Sequence, residues 1–489
     1  MEQLSKTLDA IDSFVWGPFL LIPLLLGTGL WLTIKLRGIQ FRKLGPALWL
    51  ALIKRTDDGT DDHKHGDISQ YQALTTALAA TVGTGNIVGV ATAVSIGGPG
   101  ALFWMWVTGL LGMASKYAEA FMAVRFRHRD NHGDVTGGPQ YYLQDAINNR
   151  FGAFLATFFS IATAIAAFGI GNGTQANSIA NNVENSFGIP LWVTGIVMVL
   201  ITLAVLIGGI QSIGKVTAGL VPIMIVIYVV SALVLLAMNV TAIPAAFVSV
   251  FSSAFTGHAA VGGFTGSVFI IVLQMGTARG IFSNESGMGS AAIAAAAAKT
   301  THPTRQGLVS MTQTFIDTMI VVTMTGLVLV VTGAWEEGRN AAATMTSNAF
   351  DIGLGVSWGH YIVTISLVLF AYSTILGWCY YGERNIEKLL GHSWVMAYRV
   401  VFSLAVFVGC TVELGIVWTF SDIANGLMAL PNLIGLLICS GLIARETKYY
   451  LDHDPHLRAN KAEVDRFMAG RPGAIDAHWN RIKDTAIHR

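Results

Sequence analysis

The segment between residues 69 and 97 carries small and polar residues where a membrane helix should be most apolar. Its middle reads ATVGTGNIVG, residues 80–89. Glycine lowers helix stability by about 1 kcal/mol relative to alanine, and Thr and Asn side chains offer the backbone competing hydrogen bonds. Because every backbone polar group needs a partner inside a bilayer, an unwound stretch here would present free N–H groups to an anion such as a carboxylate. A tightly packed helix face is the alternative interpretation, because Gly85 and Gly89 form a GxxxG pair.

A second segment, 263–297, repeats this pattern in its centre, which reads QMGTARGIFSNESG (274–287). We predict that its helix is interrupted at 275–281. The glycine cluster begins at a similar depth in the two segments, at Gly83 and at Gly276. The two segments are predicted to run in opposite directions, and paired interruptions of this kind are typical of secondary transporters built from inverted repeats. A ligand and a coupling ion would then bind near the middle of the membrane.

A ligand that also carries a positive charge would need hydrogen-bond acceptors as well as donors for an anionic group. The candidate acceptors are the carbonyl groups of Gln274, Met275 and Gly276 and the side-chain oxygen of Gln175, which lies in the polar patch GIGNGTQAN (169–177). A hydrogen bond between two helices is the alternative role for Gln175. Sodium, as a hard cation, would need oxygen ligands.

The composition is that of an integral membrane protein. Of the 489 residues, 53% are hydrophobic and 12% are charged, and the mean hydropathy is +0.57, whereas soluble domains carry about 25% charged residues. A net charge of +1 gives no basic surface for nucleic acid, and the three cysteines form neither a CxxC pair nor a disulfide framework. A spanning helix needs about 20 mostly apolar residues. The eleven predicted spans are 14–36, 69–97, 100–124, 151–181, 190–210, 214–238, 263–297, 307–333, 359–381, 395–414 and 420–443.

The lysine and arginine residues in the connections predict the orientation, because cytoplasmic loops retain them. The connection 37–64 carries six of them, whereas the connections 182–189 and 239–262 carry none. The N-terminus is therefore predicted to lie outside the cell and the C-terminal tail inside. The N-terminus lacks the basic region of a cleavable signal peptide, so we expect the first span to remain attached.

The order of the spans predicts the fold class. With the first span set aside, ten spans remain, and each group of five opens with an interrupted helix. This is the five-plus-five plan of the leucine-transporter-type fold. We predict an all-α integral membrane protein with about eleven transmembrane helices, an inverted repeat and one extra N-terminal helix. The predicted parts are 1–68 (N-terminal helix and cytoplasmic loop), 69–238 (first repeat), 239–262 (extracellular connection), 263–443 (second repeat) and 444–489 (cytoplasmic tail).

Longer stretches of the chain carry a more specific pattern. They are VGTGNIVGVATAVSIGGPGALFWMWVTGLLGMASKYAEA (82–120), DVTGGPQYYL (134–143), QMGTARGIFSNESGMGSAAIAAAAA (274–298), QTFIDTMIVVTMTG (313–326) and FAYSTILGWCYYGER (370–384). Together they resemble the alanine/glycine–cation symporter family of prokaryotes, and the resemblance covers essentially the whole chain. It implies sodium- or proton-coupled transport of small neutral amino acids, such as alanine and glycine, across the inner cell membrane.

The resemblance also implies roles for individual residues. Broader relatives of the fold carry a string similar to Gly83-Thr84-Gly85-Asn86 at their first break, where backbone amides bind the substrate carboxylate. In the shared ion site of the fold, carbonyl groups of the first break and hydroxyl groups of the eighth core helix bind sodium. The implied sodium ligands are Ala79, Val82, Ser373 and Thr374, and a second site near the substrate is implied for Thr81 and Asn86. The predicted substrate-binding residues are Thr81, Gly83, Thr84, Gly85, Asn86, Gln175, Gln274, Met275, Gly276, Thr277, Phe282 and Trp378.

Side-chain bulk is expected to set the selectivity, with Phe282 and Trp378 as candidate walls of a small pocket. Such a pocket rejects large amino acids sterically, whereas one methyl group is worth only about 1–3 kcal/mol. Alanine and glycine should therefore be weakly discriminated. Helix packing or anchoring at the membrane interface is the alternative role for these aromatic residues.

Ionisable residues inside membrane spans are costly and are usually paired or turned toward water. Arg279 and Glu285 are predicted to follow the second interruption toward the cytoplasm, and we expect them to close an inner gate together with Asp317. Lys116 and Glu119 also lie within a predicted span.

Proton coupling, a channel and an enzyme are the alternatives to sodium symport. Proton coupling needs a titrating carboxylate near the site; the first break offers none and Asp317 is the buried candidate, so sodium is favoured as the co-transported ion. A channel would need a continuous polar pore or a repeated filter loop, and no catalytic constellation of an enzyme occurs in the spans. The expected partners are a small neutral amino acid and the lipid bilayer, with no nucleic acid and no obligatory protein partner.

Overall fold

The computed structural model describes residues 2–17, 19–57, 60, 66–130, 133–256, 265–338, 341–412 and 415–469, and this part of the chain is mostly helical. Its α-helices are α1 (Glu2–Val15), α2 (Leu21–Lys35), α3 (Ile39–Arg42), α4 (Leu44–Leu48), α5 (Gln70–Thr81), α6 (Val88–Gly97), α7 (Gly100–Arg125), α8 (Pro139–Ile147), α9 (Arg150–Phe168), α10 (Thr174–Phe187), α11 (Leu191–Leu206), α12 (Gly209–Met238), α13 (Ile243–Thr256), α14 (Thr265–Asn284), α15 (Ser290–Ala296), α16 (Pro303–Thr314), α17 (Thr323–Thr332), α18 (Met345–Leu354), α19 (Gly359–Leu390), α20 (Val395–Thr411), α21 (Gly415–His453) and α22 (Lys461–Met468). π-helical segments lie at Trp49–Lys54, Gly169–Gly173 and Phe315–Val322, and 3-10 turns at Thr84–Asn86, Val240–Ala242, Ala334–Glu337 and His392–Trp394. Two short antiparallel strands, β1 (His128–Arg129) and β2 (Val135–Thr136), complete the described elements.

Several helices are long and apolar enough to cross a membrane. The described residues contain six of them, or up to seven if one bent pair counts as a single span. The six are Arg150–Phe187, Gly209–Met238, Pro303–Thr332, Gly359–Leu390, His392–Thr411 and Asp422–His453. The chain is therefore a multi-pass membrane protein. Other predicted spans contain shorter apolar helices, such as α2 and α11, so the number of eleven stays a prediction, as does the inverted repeat.

Helix α12 illustrates how these helices meet both lipid and protein. Val226, Val230 and Leu233 are each at least half exposed, whereas Met224 and Tyr228 are fully buried. The exposed residues recur every three or four positions and form one apolar stripe. In a membrane protein such a stripe faces the lipid, while the other face packs on neighbouring helices.

The first predicted interruption is confirmed. Helix α5 begins with a capping box, in which the Ser69 hydroxyl accepts from the Gln72 N–H and the Gln72 side chain accepts from the Ser69 N–H. The α-helix ends at Thr81, a 3-10 turn follows, and α6 resumes at Val88 with its axis bent by 61°. The polar cluster thus breaks the helix where the local chemistry of Gly, Thr and Asn predicts.

The second interruption was predicted at the wrong position. Helix α14 runs without a break through 275–281. Its glycines serve close packing on α7, since a Cβ at Gly276 would lie 2.4 Å from the Ala101 carbonyl oxygen and a Cβ at Gly280 would lie 2.4 Å from the Thr108 hydroxyl. Small residues permit this approach of two membrane helices. The first glycines of the segment therefore mark a helix contact and not an unwound stretch.

The helix is instead interrupted after Asn284, between α14 and α15. Glu285, Gly287 and Gly289 all have positive φ angles, of 54°, 91° and 82°. Glycine adopts this left-handed region without the steric penalty of a side chain. The sequence NESGMG therefore turns the chain, and the two helical halves are α14 and the short α15.

The ends of α5 and α15 that lie away from the breaks are joined to each other. Ile68 and Ala298 form a parallel β-bridge, and the Arg127 guanidinium donates to the Ala298 carbonyl oxygen at 2.9 Å. Close by, a fully buried ion pair joins Arg305 and Asp57 at 2.8 Å. Both broken helices are thus held together at what the sequence predicts to be the cytoplasmic end.

Candidate functional site

The N–H groups of the first break meet side-chain oxygens. The Gly83 N–H donates to Asn86 Oδ1 at 2.9 Å, and the Thr84 N–H donates to Gln175 Oε1 at 3.2 Å. Gln175 reaches the break from α10 and donates through Nε2 to the Ile170 carbonyl oxygen in the preceding π-helical segment. Side-chain oxygens of Asn86 and Gln175 therefore accept from the N–H groups that are predicted to bind a carboxylate.

The four predicted sodium ligands lie together at the same break. The Thr374 hydroxyl is 3.0 Å from the Ala79 carbonyl oxygen and 3.5 Å from that of Val82, and the Ser373 hydroxyl is 3.2 Å from that of Ala79. Both hydroxyls also contact the Phe370 carbonyl oxygen of their own helix, as membrane Ser and Thr side chains commonly do. The result is a compact group of buried oxygens where α19 meets the end of α5.

A buried carboxylate lies at the same break. Asp317, in the π-helical segment after α16, accepts from Asn86 Nδ2 at 2.7 Å, from the Ser283 hydroxyl at 3.0 Å and from the Thr318 hydroxyl at 2.9 Å. Asp317 is fully buried. It therefore connects the first break with α14: the residues of the break carry no carboxylate, but the buried candidate Asp317 lies beside them.

The second break is bound by the side chains of neighbouring helices. Lys116 Nζ donates to the Glu285 carbonyl oxygen at 2.9 Å, and the Gly289 N–H donates to Glu119 Oε1 at 2.9 Å. Asn432 Nδ2 also donates to this Glu119 oxygen, at 2.8 Å. Because free backbone groups are costly in a bilayer, Lys116 and Glu119 stabilise the break by pairing with it.

Some of the predicted substrate contacts do not lie at the first break. Gln274 Nε2 donates to the Trp16 carbonyl oxygen, and the Thr81 hydroxyl donates to the Ala77 carbonyl oxygen and accepts from Gln313. The predicted free carbonyls near residues 274–276 belong to the continuous helix α14, because the break lies further along the chain. Gln274, Met275, Gly276 and Thr277 thus lie within α14, and Thr81 is the last residue of α5; their roles in substrate binding stay predictions.

The predicted gating residues each bind a different partner. Arg279 lies before the second break and pairs with Asp422 of α21 at 3.3 Å. Glu285 accepts from the Ser290 hydroxyl at 2.5 Å, and Asp317 lies at the first break. Arg279 therefore precedes the second break instead of following it, and an inner gate built from Arg279, Glu285 and Asp317 stays a prediction.

The two aromatic candidates lie next to the polar segments. A Cβ added at Gly85 would be 3.0 Å from the Phe282 ring, so this ring covers the first break. The Arg279 guanidinium lies over the same ring at 5.4 Å from its centroid. Trp378 is fully buried and packs directly on Gly171, in the π-helical segment before Gln175. Both rings thus border the region between the first break and α10.

Charge reversal at Arg279 should lower transport by about tenfold or more, because it places two carboxylates beside each other in a largely buried position. The pair joins α14 to α21 and covers Phe282. Transport by Arg279→Glu and Asp422→Arg alone and in combination is the measurement. Partial recovery in the double variant supports a gate held by this pair, whereas normal uptake by both single variants contradicts it.

Sequence reasoning missed two residues of this region, Ser283 and Asp422. Asp422 could be recognised from the sequence, because an acidic residue within a predicted span usually has a functional role. Ser283 lies in the polar centre 274–287 but outside the predicted interruption at 275–281. Its contact with Asp317 depends on the packing of α14 against the π-helical segment, which residue types alone do not specify.

A multi-pass helical membrane protein with a helix broken around buried oxygen groups has the architecture of a secondary transporter. The model of the sodium:alanine symporter family matches residues 1–464. The chain belongs to this family and is a transporter rather than an enzyme.

Individual relatives are similar over nearly their whole lengths. The chain is 49% identical to the sodium/alanine symporter AgcS of Methanococcus maripaludis, over 93% of this chain and 98% of the relative. It is 50% identical to an uncharacterized transporter of Haemophilus influenzae, over 95% and 99%. It is 32% identical to the probable sodium/glutamine symporter GlnT of Bacillus subtilis, over 92% and 91%.

Proposed function

We propose that this protein is a sodium-coupled symporter that carries small neutral amino acids, alanine and glycine foremost, into the cell. The observation that carries the proposal is the first break itself, with donor groups at Gly83 and Thr84 and oxygen groups of Ala79, Ser373 and Thr374 beside it. Membership in the sodium:alanine symporter family supports the same ion and substrate. The proposed orientation has the N-terminus outside and the C-terminus in the cytoplasm, in a prokaryotic inner membrane.

The substrate carboxylate is proposed to bind the N–H groups of residues 83–85. It would displace Gln175 Oε1 from the Thr84 N–H, and this freed oxygen would then accept from the substrate ammonium. The Thr84 hydroxyl is a second acceptor, since it is buried without a hydrogen-bond partner among the described residues. Phe282 limits the room for a side chain. Alanine and glycine would differ by little, because one methyl group contributes about 1–3 kcal/mol.

Sodium is proposed to bind the carbonyl oxygens of Ala79 and Val82 together with the hydroxyls of Ser373 and Thr374. These are the oxygen ligands that a hard cation prefers. Bound sodium would fix the unwound backbone and so favour the carboxylate site, and substrate binding would favour sodium by the same free energy. Transport would then follow from alternating access of this region to the two sides of the membrane.

Asp317 changes the proposed second ion site. Asn86 stays in the proposed site, whereas Thr81 is removed because it contacts α16. Asp317 is added because it accepts from Asn86, and Ser283 is added because it donates to Asp317. The same observation favours a second candidate function, proton-coupled symport of the same substrates. A buried carboxylate hydrogen-bonded to the first break is the group that proton coupling requires.

Uptake of labelled alanine by proteoliposomes tests the proposed function. An inward sodium gradient should drive accumulation, whereas an equal potassium gradient should not. Accumulation that needs a proton gradient and not sodium would contradict sodium coupling. No uptake of alanine, glycine or any other small neutral amino acid under either gradient would contradict the substrate class.

A further inference from the structure

A buried amide on α21 has no partner in the structure. Asn425 is fully buried, and neither its Nδ2 nor its Oδ1 atom has a hydrogen-bond partner among the described residues. It is the one described side chain in which two buried polar atoms both lack a partner. Buried amides are nearly always hydrogen-bonded, because an unsatisfied donor or acceptor is costly. Local violations of this rule are expected at functional sites.

The position of Asn425 on its helix turns it toward the broken helix. Asp422 lies one turn before it and reaches Arg279 of α14, and Asn432 lies two turns after it and donates to the Gly287 carbonyl oxygen in the second break at 2.9 Å. Residues seven apart lie on nearly the same face of an α-helix. Asn425 is therefore on the face that meets α14 and the second break, between these two contacts.

The next position along α21 meets a different neighbour. A Cβ added at Gly426 would lie 2.4 Å from Val15 and 3.3 Å from the indole nitrogen of Trp16, in and beside α1. Gly426 lies about 100° around the helix from Asn425, and Asn425 itself is fully buried, so it does not face lipid. The polar groups before and after it on its own face are already paired, with Asp422 bound to Arg279 and Asn432 bound to Glu119.

We propose that Asn425 is a substrate-binding residue on α21, between the Arg279–Asp422 pair and the second break. Its amide carries both a donor and an acceptor. It can therefore accept from the ammonium group and donate to the carboxylate of a zwitterionic amino acid. This inference rests on the proposed function and adds a contact from α21, a helix to which no substrate role was assigned.

The test compares alanine transport and thermal stability in the full-length protein with Asn425→Leu, an apolar residue of similar size. The KM for alanine should rise about tenfold, the effect of losing a hydrogen bond to a charged group. The melting temperature without alanine should be unchanged or higher, because an unsatisfied amide is replaced by an apolar group. The rise in melting temperature on adding alanine should shrink.

Thr202→Val is the matched control. The Thr202 hydroxyl is also buried without a partner in the described part of the chain, but it lies on α11. This variant should keep the wild-type KM. Asn425→Ser, which retains a donor and an acceptor, should recover part of the affinity and serves as the second variant if Asn425→Leu does not fold.

A wild-type KM in both Asn425 variants, together with a normal stabilisation by alanine, would overturn the inference and leave a purely structural or hydrated amide. If Asn425→Leu does not fold, the Asn425→Ser variant decides alone. A KM between two and ten times the wild-type value supports the inference, and a KM equal to the wild-type value overturns it. Absence of amino-acid uptake by the wild type would overturn the proposed function itself. Normal wild-type uptake with unaffected variants would overturn the role of Asn425 alone.

Discussion

Gly83→Ala should lower sodium-driven alanine uptake by about 10- to 100-fold, since overpacking a tight site costs about 1–3 kcal/mol. The added Cβ would lie 2.5 Å from the Thr374 hydroxyl and 3.0 Å from Gln175 Oε1. The added atom would therefore disturb the proposed sodium site and the proposed carboxylate site at the same time. The φ of Gly83 is −137°, which any residue adopts, so the effect arises from contact and not from backbone strain.

Gly89→Ala is the control for this prediction. A Cβ at Gly89 would have its nearest neighbour at 3.9 Å, the Thr84 carbonyl oxygen, which is an ordinary contact. Uptake by this variant should equal that of the wild type, with equal amounts of protein in the membrane. If Gly89→Ala impaired uptake as strongly as Gly83→Ala, small residues would be needed for helix packing throughout this stretch, and the binding interpretation of Gly83 would be wrong.

The two breaks differ in how well local sequence predicts them. At the first, glycines stand beside Thr84 and Asn86, whose side chains pair with the unwound backbone or lie next to it. At the second, one polar and glycine-rich stretch contains two different features. Gly276 and Gly280 are small because α7 lies against them, whereas Gly287 and Gly289 turn the chain. Composition does not separate these cases, because the difference depends on what lies opposite.

The contacts of the site depend even more on the tertiary structure. Thr374 and Ala79 are 295 positions apart in the chain, and their proximity was implied by the resemblance to a known fold and not by spacing. Ionisable residues inside the spans could be identified from sequence, but not their partners. The partner of Arg279, for example, is Asp422 in the last span, which the sequence analysis does not single out. The repeat relationship and the number of spans remain predictions.

Asp317→Asn should raise the sodium concentration for half-maximal alanine uptake by about tenfold or more. The substitution keeps the shape of the side chain but removes the charge and one acceptor. Asp317 accepts hydrogen bonds from Asn86, Ser283 and Thr318, and hydrogen bonds to a charged group contribute about 1.5–3 kcal/mol each. Loss of a second sodium should also lower the Hill coefficient for sodium toward one.

Asp465→Asn is the control, because Asp465 is half exposed and pairs with Lys461 in α22, far along the chain from the site. Sodium dependence should be unchanged in this variant.

The sodium and proton responses of Asp317→Asn also distinguish the two coupling ions. If Asp317 carries a proton, the Asn variant mimics its protonated form, so uptake would lose its response to a proton gradient while alanine exchange persists. If Asp317 binds sodium, exchange and net uptake both require more sodium, because the carboxylate acts in every step that fixes the first break. An Asp317→Asn protein with wild-type sodium and proton responses would leave Asp317 a structural link between Asn86 and α14.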